Sequence, residues 1–267
     1  MTKDNKINEG YKDICRSIKN INLPIYLANS DIRQRYRRST LGPFWITIST
    51  GVMIGCIGLI FGKLFKSPME EFLPFLASGL IIWGFISSVL IDSTSSFSSS
   101  ENIIKQLDVP LFSHIVRMLT RNVIIFFHNL IILPVVFLCL DKGINLNFLY
   151  IFPGFALLVI NLLWISLVLG IICTRFRDLT QIVSSLLQVA FYVTPIIWMP
   201  KLLPARASVM LLDPNPFYHL IEVIRDPILG VAPSYLNWVV SGGLAVFGWL
   251  LAIIAFNKFR ARIAYWL

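Results

Sequence analysis

The sequence predicts an all-α polytopic membrane protein with six membrane-crossing helices, and three observations carry that prediction. Hydrophobic residues make up 56% of the 267-residue chain, and its mean hydropathy is +0.74. Six long apolar stretches, at 44–62, 72–91, 115–140, 148–173, 181–199 and 234–256, each reach or approach the ~20 residues a helix needs to cross a bilayer core. The Lys and Arg residues outside these stretches gather on one side of them.

With an even number of spans, both termini share a side. That side holds nine basic residues in the head up to Pro43, three between 92 and 121, two in the 174–180 turn and three from Lys258 onward. The other side holds only Lys63, Lys66, Lys142, Lys201, Arg206 and Arg225. The positive-inside rule then places both termini in the cytoplasm. The formal charge of +9 reads as topology and lipid contact, not as nucleic-acid binding. The chain divides into a cytoplasmic amphipathic interface segment at 1–43, a transmembrane domain at 44–257 and a cytoplasmic tail at 258–267.

The first forty residues are polar and basic without a short apolar core, so no signal peptide is expected there. Ile7, Tyr11, Ile14, Ile18 and Ile21 recur at helical spacing with Lys12, Arg16 and Lys19 between them, which predicts an amphipathic helix too polar to cross a membrane. Pro24 suits the first position of a second helix running toward Ser39. That helix carries Arg33, Arg35, Arg37 and Arg38 directly before the first span. These arginines either anchor topology or meet a pyrophosphate-linked substrate, for which a planar guanidinium offers bidentate hydrogen bonding.

Gly42 and Pro43 break that helix, and Phe44 and Trp45 mark the membrane boundary. In the first span Gly51, Gly55, Gly58 and Gly62 include two GxxxG spacings that let a neighbouring helix or a second copy approach closely. The second span ends at Asp92 in a serine-rich stretch, STSSFSSSEN, which predicts a cytoplasmic break near 93–101. Ile103, Ile104 and Leu107 then predict a short surface helix that Pro110 stops; an ordinary loop with one helical turn is the plainer alternative. Arg117 and Arg121, early in the third span, should snorkel to the interface or face a polar cavity. Between spans five and six, residues 200–233 combine six prolines with apolar runs too short to cross, so they lie on the outer face or dip into it.

No catalytic or metal constellation emerges. Cys15, Cys56, Cys139 and Cys173 are scattered without a CxxC pair, and His114, His128 and His219 form no HxxxH or HExxH pattern. Asp178, Asp213, Glu222 and Asp226 are dispersed, unlike the clustered acids of a membrane-embedded glycosyl or phosphoryl transferase. The chain also has no GxxxxGK[ST] loop; its one Gly-Lys pair, Gly62-Lys63, lacks the upstream glycine and the following Ser or Thr.

Taken in order, RQRYRRSTLGPFW before the first span, KQLDVPLF between spans two and three, RFRDL after span four and LDPNPFYHLIEVIRDPILG before span six resemble the transmembrane subunit of an ABC-2 polysaccharide exporter. That family moves O-antigen, teichoic-acid or capsular glycans. The resemblance implies a homodimer enclosing a channel in the bacterial inner membrane, for a lipid-linked polysaccharide, with no cofactor in this chain. ATP and Mg would be bound by two copies of a separate ATPase subunit. It also implies a coupling helix in 100–113, with Ile103, Ile104, Lys105, Gln106, Leu107 and Asp108 docking on that ATPase, and extracytoplasmic gate helices within 201–232. Aromatic channel lining is likewise implied; Phe75, Trp83, Phe85, Phe191, Tyr192 and Trp198 are the candidates, with core packing or lipid contact as the alternative for each. An ABC-2 subunit for drugs, haem or lipids would share the six spans and the missing nucleotide loop.

Overall fold

A computed structural model describes residues 9–37, 41–42, 44–141, 143 and 145–267, and among them the regular structure is entirely helical. In chain order the helices are α1 (Glu9–Lys19), α2 (Asn22–Tyr36), α3 (Phe44–Leu64), α4 (Met69–Thr94), α5 (Glu101–Gln106), α6 (Phe112–Leu130), α7 (Ile132–Cys139), α8 (Ile151–Arg175), α9 (Leu179–Val193), α10 (Ala205–Leu212), α11 (Pro216–Ile228) and α12 (Tyr235–Trp266). Five stretches are long and apolar enough to cross a bilayer: α3, α4, α6 with α7, α8 with its preceding 3₁₀ turn, and α12. The centre of the bundle is α4, with 78% of its apolar window buried inside the protein against 17–39% for the other four. It packs against α3, α6, α7, α8, α9 and α11, and α8 in turn packs along α12.

The fifth predicted span, 181–199, differs from expectation. Its helix ends at Val193, and at about 22 Å α9 falls short of the ~30 Å hydrocarbon core. Pro195 is the reason: a residue before proline is pushed out of helical geometry, and Thr194 is extended at φ −84°, ψ 136°. Residues 194–199 continue without helix. The third predicted span is also interrupted, at Ile131, because Pro134 removes the hydrogen bond to the residue 130 carbonyl and crowds it. The tail predicted from Lys258 is no separate segment; it is the last part of α12, which continues to Trp266. Pro24 is the third residue of α2, within the first turn, where its missing N–H costs nothing.

The N-terminal stripe lies on α1 and just past it, and most of its described part is exposed. Tyr11, Ile18 and Ile21 are 54%, 56% and 43% exposed, and only Ile14 of the described stripe is buried. Ile7 lies outside the described residues. The buried face of α1 is made by Gly10, Asp13, Ile14 and Ser17, against α12 and α6. Asp13 and Ser17 find polar partners there, which an aliphatic stripe could not supply, so apart from Ile14 the described stripe faces away from the protein.

Small residues set the close approaches. A Cβ on Gly58 would meet Leu73 and one on Gly62 would meet Met69, so this GxxxG pair packs α3 on the start of α4. A Cβ on Gly51 would only touch Ile132 at 4.0 Å, and one on Gly55 would meet nothing within 4 Å among the described residues. Gly154 of α8 lies against the backbone of α11, where a Cβ would sit 2.6 Å from the Val223 carbonyl oxygen. Gly154→Val should therefore destabilise the fold by about 1–3 kcal/mol through overpacking. A lower melting temperature in detergent checks this; an unchanged one would mean that α8 and α11 separate freely.

Candidate functional site

The helix α1 and the C-terminal part of α12 gather at one end of the bundle. The Tyr11 amide donates to Asn257 Oδ1 at 3.1 Å, and the Arg175 guanidinium closing α8 lies 5.4 Å from the Trp266 ring centre. At the opposite end Lys201 pairs with Glu71 at the start of α4.

At the terminal end a 3₁₀ turn at Ser98–Ser100 leads into α5, a six-residue helix braced by Lys105 on Glu101 at 2.6 Å. That hydrogen bond from Lys105 holds the Glu101 carboxyl below its usual range. Lys105, Gln106, Leu107 and Asp108 are exposed, whereas Ile103 and Ile104 are half-buried and Ile104 packs toward the cluster around Phe97 and Leu111. The helix ends at Gln106, ahead of Pro110, as Leu107 turns extended. Two acidic residues tie α1 to this region. Arg16 donates to the Asp108 carboxylate at 3.0 and 3.3 Å and to its carbonyl at 3.3 Å. Asp13, 3% exposed, accepts from the backbone N–H groups of Leu111 and Phe112 at 3.2 and 3.0 Å and from Arg260 Nε at 2.8 Å. One carboxylate thus satisfies amides at the start of α6 and pairs with a cation from α12.

Between α2, the end of α4 and the start of α6 lies a polar pocket of about 570 Å³. Arg117 donates to Asp31 through Nε at 2.8 Å and Nη2 at 2.5 Å. Arg121 Nη2 reaches Asp92 at 2.7 Å, and Asn122 Nδ2 reaches the same oxygen at 2.9 Å. The polar cavity expected around Arg117 and Arg121 is present, and its counter-charges come from α2 and α4. A second cavity of about 320 Å³ adjoins it among α3, α4 and α6, and Arg35 and Asp92 line both.

The head arginines are not gathered. Arg33, Arg35 and Arg37 are exposed, only Arg35 of the three lines the cavities, and Arg38 lies outside the described residues. Of the aromatic candidates, Phe75, Trp83 and Phe85 are buried inside the chain's own bundle. Trp83 meets Phe217 edge-on at 5.4 Å, and Phe85 lies 4.8 Å from Phe126, which stacks on Phe155. Phe191 and Trp198 are half-buried, and Tyr192 is 65% exposed.

At the far end, the apolar runs of 200–233 form α10 and α11. Gly230 closes α11 at φ +86°, with its N–H on the Pro227 carbonyl and that of Val231 on Asp226. Arg225 of α11 is fully buried. It pairs with Glu222, donates from Nη1 to the Pro195 carbonyl at 2.6 Å and lies 3.9 Å from the Phe75 ring centre. A cation–π contact to α4 and a hydrogen bond to the broken end of α9 thus hold both against α11, whose own Glu222 balances the charge. Among the described residues no three His, Cys, Asp or Glu side chains assemble as a metal-ligand group.

Sequence reasoning missed Asp13, Asp31, Asp92, His114 and the Glu222–Arg225 pair as organising residues. The i,i+3 spacing of Glu222 and Arg225 inside an apolar run was the one readable signal.

Comparison with known proteins adds three findings. The family model described as "ABC-2 type transporter" matches residues 25–229. An "O-antigen export system permease protein RfbA" from Klebsiella pneumoniae is 26% identical over 249 residues, covering 91% of this chain and 93% of the relative. A protein of the same name from Myxococcus xanthus is 24% identical over 201 residues, covering 74% of this chain and 77% of the relative.

Proposed function

Since the chain belongs to the ABC-2 type transporter family, we propose that it is the transmembrane subunit of an exporter carrying a lipid-linked polysaccharide of the O-antigen class across the bacterial inner membrane. The observation that carries this reading is similarity along nine-tenths of both chains to permeases named for O-antigen export. In this reading ATP is hydrolysed by two copies of a separate subunit, which fits a chain without a phosphate-binding glycine loop.

The terminal end, rich in Lys and Arg, is cytoplasmic. The fifth crossing is α9 together with 194–199, giving six spans, and α10 and α11 serve as extracytoplasmic gate helices. Exposed Tyr11, Ile18 and Ile21 lie in the headgroup layer. The coupling surface is Lys105, Gln106 and Leu107 with Asp108, held up by α1 through Arg16. Two copies enclose the channel, and the outer faces of α3 and α9 are the surfaces free to meet there. Phe191, Tyr192 and Trp198 reach the protomer surface and suit stacking on sugar faces, while Phe75, Trp83 and Phe85 stiffen the wall behind them.

The deciding experiment depletes the protein in its own host and locates the lipid-linked glycan. Accumulation on the cytoplasmic side with loss of surface glycan supports export and identifies the substrate by its sugars. Normal surface glycan rejects the glycan and leaves an ABC-2 permease for a drug, haem or small lipid. Within the export reading, Arg35→Ala with Arg38→Ala should cut surface glycan several-fold without changing membrane insertion. Unchanged export would remove these arginines from the pyrophosphate path.

A further inference from the structure

We propose that the pocket between α2, α4 and α6 is a binding site for a phosphate-class oxyanion, standing at the mouth of a polar track that runs between α4 and α6 into the bilayer. The ligand's chemistry is argued from the pocket alone; its lipid-borne form rests on the export reading above.

His114 lines this pocket at 2% exposure, and neither of its ring nitrogens has a hydrogen-bond partner among the described residues. Arg121 Nε is likewise buried and unpartnered. A buried polar group without a partner is costly, so two such groups beside one cavity point to a ligand that accepts hydrogen bonds. The charge balance gives its sign. Three guanidiniums, Arg35, Arg117 and Arg121, face two carboxylates, Asp31 and Asp92. Asp31 is taken by Arg117 and Asp92 by Arg121 and Asn122, so neither carboxylate is free to hold a cation. Arg35 has no carboxylate partner among the described residues, and its fork can serve an anion bidentately.

The track follows from two facing stripes. On α4, Gly84, Ser88 and Asp92 recur every fourth residue, and Ser95 and Ser99 extend the row beyond the helix end. On α6, His114, Arg121, Asn122 and Asn129 line the same two cavities over about 22 Å of helix. Polar side chains at this density inside a membrane helix mark a pathway. Arg35, common to both cavities, sits where a headgroup would pass from pocket to track.

Binding of inorganic pyrophosphate and of farnesyl diphosphate to the full-length protein in phosphatidylcholine nanodiscs, measured by calorimetry, tests this. Arg35→Gln and His114→Gln should each weaken binding about tenfold. Ser99→Asp, at an exposed position that does not threaten folding, should abolish it, and Lys258→Gln should leave it unchanged. Equal affinity for both probes assigns the site to the free anion, and preference for farnesyl diphosphate assigns it to a lipid headgroup. Competition by nanodiscs enriched in phosphatidylglycerol would extend that to bulk lipid. Neither probe binding, so that the pocket holds water only, overturns the proposal, as does binding unaffected by Ser99→Asp and Arg35→Gln. No anion binding in a protein whose depletion removes surface glycan rejects the pocket alone. Anion binding with normal surface glycan rejects the export reading alone.

Discussion

Arg225→Ala is expected to destabilise the protein by about 3–5 kcal/mol, the cost of leaving one member of a buried ion pair without its partner. Glu222 is 5% exposed, so the charge it would keep after truncation is poorly solvated. The same substitution frees the Pro195 carbonyl and removes the cation from the Phe75 face. Gly79 makes room for the guanidinium, since a Cβ there would lie 3.3 Å from Arg225 Nη1 and 3.4 Å from the Ile196 carbonyl oxygen. Arg225→Lys should fall between wild type and alanine, because a point charge replaces neither the fork nor the stacked plane. Arg225→Met combined with Glu222→Gln should cost less than Arg225→Ala alone, as the stranded charge is the dominant penalty. Melting temperatures in detergent compare the four proteins. Full stability in Arg225→Ala would mean that α9 is held against α4 by something other than this junction. In the export reading the junction also sets when the gate can open, so surface glycan should fall more steeply than protein level.

The sequence revealed the helical class and most span positions because apolar runs are local: each is visible without knowing its neighbours. Boundaries moved where proline acted, at Val193 before Pro195 and at Ile131 before Pro134. Both were readable in principle, since proline pushes the residue before it out of helical geometry, as at Thr194, and removes the hydrogen bond to the carbonyl four residues back, as at Leu130. The polar machinery was less legible. Arg117 and Arg121 signalled a cavity because cations within an apolar run demand a polar partner. The partners were hidden, since Asp31 lies 86 residues from Arg117 and no periodicity links them. His114 was dismissed for lacking a metal-ligand spacing, yet its significance comes from a tertiary wall built by three helices. The stripe on α1 was legible as an amphipathic face, but its surroundings were not. Hydrophobic spacing identifies an apolar face but not whether protein or lipid covers it.

Asp13→Ala is expected to loosen α1 from the bundle by on the order of 2–4 kcal/mol, because two backbone N–H groups and one guanidinium lose their acceptor together. Asp13→Asn keeps the shape but surrenders the charge, so its effect should be smaller. Hydrogen exchange across Glu9–Lys19 reads this directly: faster exchange in Asp13→Ala, intermediate in Asp13→Asn. The consequence extends to the proposed coupling surface. Arg16 sits on the same helix and holds Asp108, whose carboxyl it keeps below the usual carboxylate range. A carboxyl depressed in this way stabilises the folded link above its unfolded titration range and loses that link as pH falls through the depressed value. Near neutrality the Arg16–Asp108 link is therefore intact, and α1 opening is the event that releases it. If Lys105, Gln106 and Leu107 carry the ATPase contact, Asp13→Ala should leave ATP hydrolysis by the complex running while export drops. Export lost together with hydrolysis would instead mean that the ATPase no longer assembles. Unchanged exchange in α1 would show that Ile14 and the close approach of Gly10 to Asn257 hold the helix without the carboxylate.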